Sequence, residues 1–231
     1  PDMIRALDPA GLDREDRAVL ASMGWAVPAG AEHPIPVRLR NASADDAHVL
    51  AALAARTFPD ACGNVIAPEF LERHIATTLV PELFATWTGD DRVDLVVAEL
   101  LEPLLAGPDS SFGAEAGAST APALVGYAAV LREEADSGGE RPHGIDPRPA
   151  CVRPAGGEVV GELSKVYVDA TMRGSGLTPA LMDAVIRQAA AHGTDLLWLG
   201  THVTNKRAQK AYKRAGFRQV GTRTYNVGGQ D

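Results

Sequence analysis

The 231-residue chain lacks several features that define common classes of protein. It has only two cysteines, Cys62 and Cys151, far apart and without C-x-x-C spacing, so we expect free thiols and neither a disulfide framework nor a cysteine metal site. The six histidines show no metal-ligand spacing either, so no metal is expected. No apolar run approaches the roughly 20 residues that a transmembrane helix needs, and the first residues do not resemble a secretory signal. We therefore expect a cytoplasmic protein with no membrane-spanning segment.

Basic residues are in short supply over the chain as a whole. Lysine and arginine number 22 against 30 aspartates and glutamates, which gives a net charge of −8 and argues against a nucleic-acid-binding surface. The same balance is compatible with a cationic small-molecule substrate. Residues 196–230 are the exception, with seven basic residues and no acidic one, and they form either a solvated helix face or a site for an anionic cofactor. These residues are Lys206, Arg207, Lys210, Lys213, Arg214, Arg218 and Arg223.

From residue 36 onward, strand-like and helix-like patterns alternate along the chain, which is typical of an α/β domain with a mixed sheet covered by helices. Residues 1–34 mix glycine, proline and charge and predict an N-terminal arm with one short helix, packed against a domain of residues 35–231. Two loops, 102–122 and 133–157, are long enough to be lids over a site or mobile insertions. The predicted strands are 37–40, 94–101, 123–131, 158–168, 196–201 and 217–227, and the predicted helices are 44–58, 68–83, 175–192 and 205–215.

A glycine-rich turn, M-R-G-S-G-L, joins the predicted strand 158–168 to the predicted helix 175–192. The helix has apolar residues at every fourth position from Leu177 to Ala189, and its N-terminus presents unpaired N–H groups and the positive end of the helix dipole. Gly174 and Gly176 let the backbone approach a ligand, since they carry no Cβ. The pattern is typical of a site for a phosphate or another anion, and it is also typical of a simple connection before a helix.

The residues around this turn extend the pattern in both directions. E-L-S-K-V-Y-V precedes the turn and N-K-R-A-Q-K-A-Y-K-R-A-G-F follows it, and over about seventy residues these blocks resemble the GNAT superfamily of N-acetyltransferases in content and spacing. The resemblance implies the GNAT fold, a mixed, mostly antiparallel sheet with helices on both faces, and acetyl-CoA as co-substrate. Thr171 departs from the family's Q/R-x-x-G-x-G/A loop at its first position, which puts one side-chain contact in doubt and leaves Arg173 available. The implied cofactor contacts are Val166, Val168, Arg173, Gly174, Ser175, Gly176, Leu177, Asn205, Lys206, Ala208 and Tyr212.

Glu162 is the candidate general base. An alkylamine with a pKa near ~10.4 is almost wholly protonated at pH 7, and freeing its lone pair costs about 4 to 5 kcal/mol, so a carboxylate that removes the proton is valuable. Strand alternation predicts that Glu162 shares one face of the sheet with Ser164, Val166 and Val168. In the GNAT family a glutamate six residues before the last valine of this strand often acts as the base, and Glu162 stands six before Val168. The alternative is a glutamate that faces solvent or pairs with a basic neighbour.

Asn205 and Tyr212 lie two helical turns apart and share a face, with the small Ala208 between them. The resemblance implies that Asn205 contacts the pantetheine arm and that Tyr212 donates a proton or a hydrogen bond to the departing thiolate. Because a tyrosine near pKa ~10 is not a stronger acid than a thiol near ~8.5, we expect Tyr212 to act chiefly by hydrogen bonding. The alternatives are that Asn205 only caps its helix and that Tyr212 belongs to the core. His202 is a second candidate for the base.

Other parts of the chain bear on the acceptor. L-L-W-L-G and R-T-F-P-D-A-C-G resemble the bacterial spermidine/spermine branch of the family, which implies a polyamine or another small alkylamine as substrate. The long loops and the N-terminal arm do not belong to that branch's compact pattern, so protein N-termini or lysines stay open as acceptors, as does a non-catalytic acyl-CoA-binding regulatory domain. The oligomeric state stays open between a monomer and a homodimer. Acidic residues near the loops either attract a cationic acceptor or are only solvated: Asp90, Asp91, Glu133, Glu134 and Asp136.

Overall fold

The computed structural model of the protein describes residues 12–62, 66–101, 123–133, 152 and 158–222. The predicted loops, 102–122 and 133–157, lie almost entirely outside the described residues. None of the described helices is both long and apolar enough to cross a bilayer. The helices are α1 (Arg14–Ser22), α2 (Ala47–Cys62), α3 (Pro68–Thr78), α4 (Pro81–Gly89), α5 (Leu177–Ala191) and α6 (Lys206–Arg214), and the strands are β1 (Trp25–Ala26), β2 (Ile35–Asn41), β3 (Val93–Leu100), β4 (Leu124–Glu133), β5 (Val160–Val168) and β6 (Leu196–Trp198).

The described strands form one sheet in the order β1-β2-β3-β4-β5-β6. Neighbouring strands are antiparallel except β5 and β6, which run parallel. This exception follows from connectivity, because α5 carries the chain back along the sheet between β5 and β6, as a parallel pair requires. The prediction of an α/β fold with a mixed, mostly antiparallel sheet is confirmed. Of the predicted last strand, residues 217–222 are not in strand conformation, and residues 223–227 lie outside the described part of the chain.

The sheet carries helices on both faces, as predicted, and each face has its own apolar core. One face, the α5 face, packs Ala128 and Val130 of β4 against α5. The other, the α2/α4 face, packs Tyr127 and Leu131 of the same strand in a core with residues of α2 and α4. Because successive side chains of a strand point to opposite faces, β4 contributes to both cores and is buried along nearly its whole length.

The single helix predicted for residues 68–83 is in fact two helices, α3 and α4. Val80 between them is extended, with φ −101° and ψ 158°, and Pro81 is the first residue of α4. Proline disfavours a helical conformation in the residue before it but suits the first turn of a helix, so Pro81 separates the two helices. The break allows α4 to bury Phe84 and Trp87 in the core, whereas α3 has no fully buried residue.

A buried ion pair ties the start of α2 to the sheet. Ser43 and Asp46 form a cap before this helix, with the Ser43 N–H donating to Asp46 Oδ2 at 2.7 Å. Arg40 of β2 donates to both carboxylate oxygens of Asp46, at 2.7 and 2.8 Å, and to Glu99 of β3 at 2.7 Å. Because of the hydrogen bonds from Arg40 above all, the pKa of Asp46 is lowered although the residue is almost fully buried.

Residues 12–29 of the N-terminal arm form α1 and β1. Asp13 caps α1 by accepting from two backbone N–H groups of the first turn, at 2.7 and 2.9 Å. β1 pairs antiparallel with β2 and extends the sheet at that edge, while α1 packs against α5. The arm thus contacts both the sheet edge and a helix of the α5 face, and the boundary predicted between residues 34 and 35 stays a prediction.

Candidate active site

The glycine-rich turn lies between β5 and α5, at the position that the sequence predicts. Gly174 and Gly176 have φ angles of 77° and 87°, in the left-handed region that residues with a Cβ rarely adopt. Two backbone hydrogen bonds, of 3.2 and 3.3 Å, close the turn internally. Gly176 is the N-cap of α5, which begins at Leu177, two residues later than predicted.

Two donors of the turn have no acceptor among the described residues, namely the N–H groups of Gly174 and Gly176. The next N–H group, that of Leu177, donates to Ser175 Oγ at 3.3 Å. The side chains of Ser175 and Leu177 are fully buried, so of these two predicted cofactor contacts only the backbone can face a ligand. A pair of N–H groups at the positive end of a helix dipole is the arrangement that binds phosphate groups in many proteins.

A buried carboxylate holds the start of the turn. Asp169 follows β5 directly, and its Oδ1 accepts from the Thr171 N–H at 3.1 Å and from the Thr171 hydroxyl at 2.7 Å. Its Oδ2 accepts from Arg56 Nε of α2 at 2.7 Å. Burial acts to raise the pKa of Asp169, but the hydrogen bonds from Arg56 and Thr171 outweigh it, and the pKa is lowered. Thr171, the residue that departs from the family's pattern, therefore donates its hydroxyl within the protein.

Arg173 is held beside the turn by an ion pair with Asp60 of α2. The two side chains are 44% and 48% exposed, so water screens the pair. Exposed pairs of this kind contribute about 0 to 1 kcal/mol. An anion bound at the turn can therefore compete with Asp60 for the guanidinium, as the predicted role of Arg173 requires.

A β-bulge at Ser164 changes the face of the sheet on which Glu162 lies. Glu162 pairs with Leu131 on the α2/α4 face, whereas Val166 and Val168 pair with residues of the α5 face. The prediction that Glu162 shares one face with Val166 and Val168 is therefore wrong, because regular alternation ends where the bulge adds one residue to β5. Glu162 is 5% exposed, so it does not face open solvent, which was one of the alternatives for this residue.

The strands β5 and β6 part beyond Glu162. Their parallel pairing covers three residues of each strand and ends where Glu162 lies opposite Trp198. From Leu163 to Val168, β5 pairs with β4 and with no other described strand, so this stretch is an edge of the described sheet on the side of β6. An extended ligand with amide groups can bind such an edge as an added strand would. This open edge of β5 leads directly into the glycine-rich turn.

Asn205 is the N-cap of α6, which is one residue shorter at each end than predicted. The Asn205 Oδ1 accepts from the Ala208 N–H at 3.0 Å, so the capping role that was the alternative for this residue is present. Lys206 turns its Nζ back to the Val203 carbonyl at 2.8 Å. The five basic side chains of α6 are exposed, which is compatible both with a solvated face and with a site for an anion.

Tyr212 lies on the α5 face. It packs against the core of that face and meets Phe217 edge-on, with ring centroids 6.1 Å apart. Tyr212 is half-buried, so its ring belongs in part to the core, which was the alternative considered for this residue in the sequence. Tyr212 and Val166 therefore share one side of the sheet, and Glu162 lies on the other.

His202, the second candidate for the base, is exposed. Its Nδ1 lies 2.8 Å from Thr204 Oγ1, so the ring is oriented by its own loop. Within the described ranges no group of three or more His, Cys, Asp or Glu residues is placed to hold a metal ion.

Three residues beside the turn were not among the predicted site residues: Arg56, Asp60 and Asp169. Asp169 has a signal in the sequence, since it opens the turn directly after a strand, where an acidic cap is favoured. Arg56 and Asp60 have none, because each lies 113 residues before its partner, in a helix whose own pattern is only alanine-rich and apolar.

Comparison with known proteins bears on the family of the chain. The Acetyltransferase (GNAT) family matches residues 81–217, more than half of the chain. Uncharacterized N-acetyltransferases from Mycobacterium bovis and Mycobacterium tuberculosis are 32% identical to it over 183 residues, which is 79% of this chain and 90% of theirs.

Solved structures of low sequence identity share the fold. PaiA N-acetyltransferase from Thermoplasma acidophilum, in complex with coenzyme A, has a TM-score of 0.54 at 13% identity, over 80% of this chain and 91% of that one. Aminoglycoside N-acetyltransferase AAC(6')-Iy, also in complex with CoA, has a TM-score of 0.52 at 14% identity, over 85% of this chain and 97% of that one. From the family match and the identity to the mycobacterial proteins, this chain belongs to the Acetyltransferase (GNAT) family.

Proposed function

We propose that this acetyltransferase moves an acetyl group from acetyl-CoA to the primary amine of a small alkylamine in the cytoplasm, and that a polyamine is the first acceptor to test. The observation that carries the proposal is that Glu162 lies where β5 parts from β6, on the α2/α4 face, whereas Tyr212 packs on the opposite face of the sheet, so that the open edge of β5 lies between the two faces. A thioester held at that edge is then accessible to a base from one face and to a hydrogen-bond donor from the other.

The groups along β5 and the turn fit the parts of acetyl-CoA in order. The N–H groups of Gly174 and Gly176 have no described acceptor and suit the pyrophosphate. The open edge of β5 suits the amides of the pantetheine arm, with the half-buried Val166 and Val168 beside it on the α5 face. Arg173 supplies a positive charge next to the turn.

Acetyl-CoA supplies the acyl carbon and a thiolate leaving group. Glu162 takes a proton from the substrate ammonium, so that the nitrogen lone pair forms the new C–N bond as the C–S bond breaks. The Tyr212 hydroxyl donates a hydrogen bond to the sulfur as negative charge develops there. Of the two protons that the ammonium loses, one ends on the thiolate sulfur and the other leaves to solvent through Glu162.

The acidic residues near the loops give a polyamine less support than the sequence indicates. Asp90 pairs with Arg92 at 2.8 Å, and this hydrogen bond is the main reason that the pKa of Asp90 is lowered. Glu133 is buried in β4 and is not a loop residue, while Glu134 and Asp136 lie outside the described residues. The net charge of −8 favours a cationic acceptor in general, so the proposal is for an alkylamine and the choice of a polyamine belongs to the experiment.

The direct test is release of free CoA thiol with a panel of alkylamines, polyamines, aminoglycosides and peptides with free N-termini or lysines. We expect turnover with alkylamines, and a fall of about ten- to ten-thousand-fold in kcat for Glu162→Gln and for Tyr212→Phe. The deficit of Glu162→Gln should shrink as the pH rises toward the pKa of the amine, because the free amine then needs no base.

Two substitutions of the same chemical type serve as controls. Glu99→Gln changes a glutamate of β3 that pairs with Arg38 and Arg40, and Tyr127→Phe removes a buried hydroxyl with no hydrogen-bond partner in the described part of the chain. Both should keep the parent kcat. Parent-like kcat in Glu162→Gln and Tyr212→Phe would show that their assigned roles are wrong. If only peptides are acetylated, the acceptor is a protein N-terminus or lysine and not a small alkylamine. CoA binding without acetylation of any amine would favour a regulatory domain.

A further inference from the structure

Residues 17–29 of the N-terminal arm lie against the glycine-rich turn. The Val27 N–H donates to the Ser175 carbonyl at 3.4 Å, and the Ala29 N–H donates to the Arg173 carbonyl at 3.5 Å. Both hydrogen bonds are long, but they occur on alternate residues, as they do between paired strands. These arm residues precede the segment 81–217 that matches the GNAT family, so the contact joins a segment outside that match to a turn inside it.

The two hydrogen bonds determine where the donors of the turn point. In a trans peptide the C=O and N–H of one peptide unit point in opposite directions, and no described peptide bond is cis. The Arg173 carbonyl shares its peptide unit with the Gly174 N–H, and the Ser175 carbonyl shares its unit with the Gly176 N–H. Because both carbonyls point toward the arm, both glycine N–H groups point away from it. These are the two donors that have no described acceptor.

The arm is also in steric contact with the turn. A Cβ added to Gly176 would lie 2.1 Å from the Arg17 carbonyl oxygen, so the Gly176 backbone rests directly on the backbone of α1. The Arg17 side chain holds the arm together, since its Nη1 donates to the Val27 carbonyl and its Nε to the Leu12 carbonyl at 3.3 Å. Arg17 therefore connects α1 with the segment that bonds to the turn.

We infer that the N-terminal arm is a positioning element for acetyl-CoA, which orients the N–H groups of Gly174 and Gly176 toward the pyrophosphate. The inference rests on the proposed function, because it requires the turn to bind that group. Arg17 is a positioning residue, which acts on the ligand through the backbone of the turn. When the arm is loosened, the carbonyls of Arg173 and Ser175 lose their partners and the two N–H groups converge less often. CoA then binds more weakly, while the acyl-transfer step is unchanged.

Thermodynamic linkage provides a test that needs no variant. If the docked arm strengthens CoA binding, bound CoA must stabilise docking of the arm by the same factor. Hydrogen exchange of the Val27 and Ala29 amides measures docking in the full chain with and without saturating CoA. We expect CoA to slow their exchange by about 5- to 150-fold, the usual range of such coupling, with peptides of α3 as the reference. Exchange of the arm that is unchanged by bound CoA overturns the inference.

Substitution of Arg17 tests the same link from the other side. Arg17→Met keeps the aliphatic stem and removes both hydrogen bonds, and Arg17→Lys restores one donor. Arg187→Met is the matched control, because it removes an exposed arginine of α5 that pairs with Asp183 one helical turn away. We expect Arg17→Met to raise the Kd of CoA and the KM for acetyl-CoA about 5- to 150-fold while kcat is retained. The Kd and KM of Arg17→Lys should lie between those of the parent and of Arg17→Met. Arg187→Met should have the Kd and KM of the parent.

The outcomes separate the two proposals. A parent chain that does not bind CoA contradicts the proposed function itself. A parent that binds CoA, together with a folded Arg17→Met variant of the same affinity, contradicts only the positioning role. If the circular dichroism spectrum of Arg17→Met differs from that of the parent, the variant is not folded normally. Hydrogen exchange of the parent with and without CoA then tests the positioning role.

Discussion

Gly176 lies against the backbone of α1, and alanine at this position measures how tightly the helix and the turn fit together. A Cβ there would lie 2.1 Å from Arg17 O, 2.4 Å from Arg17 C and 2.7 Å from Ala18 N, all of them backbone atoms. Gly193, just after α5, has nearly the same φ, 85° against 87°, but nothing within 4 Å of the corresponding Cβ. The two alanine substitutions therefore share the backbone strain and differ in the clash.

We expect Gly193→Ala to lower the free energy of unfolding by about 1 to 2 kcal/mol, the cost of an L-residue in the left-handed region. Gly176→Ala has this cost and must also displace α1, which is comparable with overpacking at about 1 to 3 kcal/mol. Its total loss should be about 2 to 5 kcal/mol. Because the displaced backbone belongs to the arm, Gly176→Ala should also bind CoA more weakly, and Gly193→Ala should bind it like the parent.

Urea unfolding followed by circular dichroism gives the stabilities, and calorimetric titration gives the affinity for CoA. Equal losses of stability in the two variants would refute the steric argument, because the backbone of α1 at Arg17 would then move away from the added Cβ without a loss of free energy. A larger loss in Gly176→Ala without weaker CoA binding would keep the steric argument and remove the link between the arm and the ligand.

Two further predictions concern carboxylates that pair with arginines. Asp169→Asn should raise the KM for acetyl-CoA with kcat nearly retained, because it removes a hydrogen bond between charged groups at the start of the turn, worth about 1.5 to 3 kcal/mol. Asp46→Asn breaks a similar pair at the other end of α2 and should lower stability without changing that KM, so an equal rise in both variants would contradict the positioning role of Asp169. The folded-state pKa values of Asp46, Asp90 and Asp169 are lowered, so their stabilisation is complete above the unfolded-state pKa near ~3.9 and is lost as the pH falls through the folded-state values. Urea unfolding between about pH 7 and about pH 2 should show this loss, with a smaller pH dependence in Asp46→Asn than in the parent.

The turn and its flanking elements could be predicted because every signal for them is local. An apolar strand, two glycines that adopt positive φ and a helix with a four-residue apolar repeat follow one another within a short segment. The break between α3 and α4 was also within reach, since Pro81 marks a first helical turn as clearly as Pro68 does. There the apolar repeat continued through the break and concealed it.

Contacts that depend on pairing across the fold could not be predicted in this way. The bulge at Ser164 arises from the register between β5 and β4, and nothing in the sequence of β5 alone marks it. The ion pair between Arg56 and Asp169 joins residues 113 positions apart in the sequence. The fit of Gly176 against Arg17 likewise requires that the arm pack on α5, which a short helix in a polar segment does not reveal.

The bulge at Ser164 places the candidate base on the other face of the sheet from the proposed position of the acyl donor. With regular alternation Glu162 and Val166, four residues apart, would lie on the same face, and the base would share that side of β5 with Tyr212 and the donor. One extra residue in the strand moves Glu162 to the α2/α4 face and leaves Val166 on the α5 face. Donor and acceptor can then approach the open edge of β5 from opposite sides. Direct transfer between two bound substrates requires such an arrangement, since the reacting atoms must meet without either substrate blocking the other.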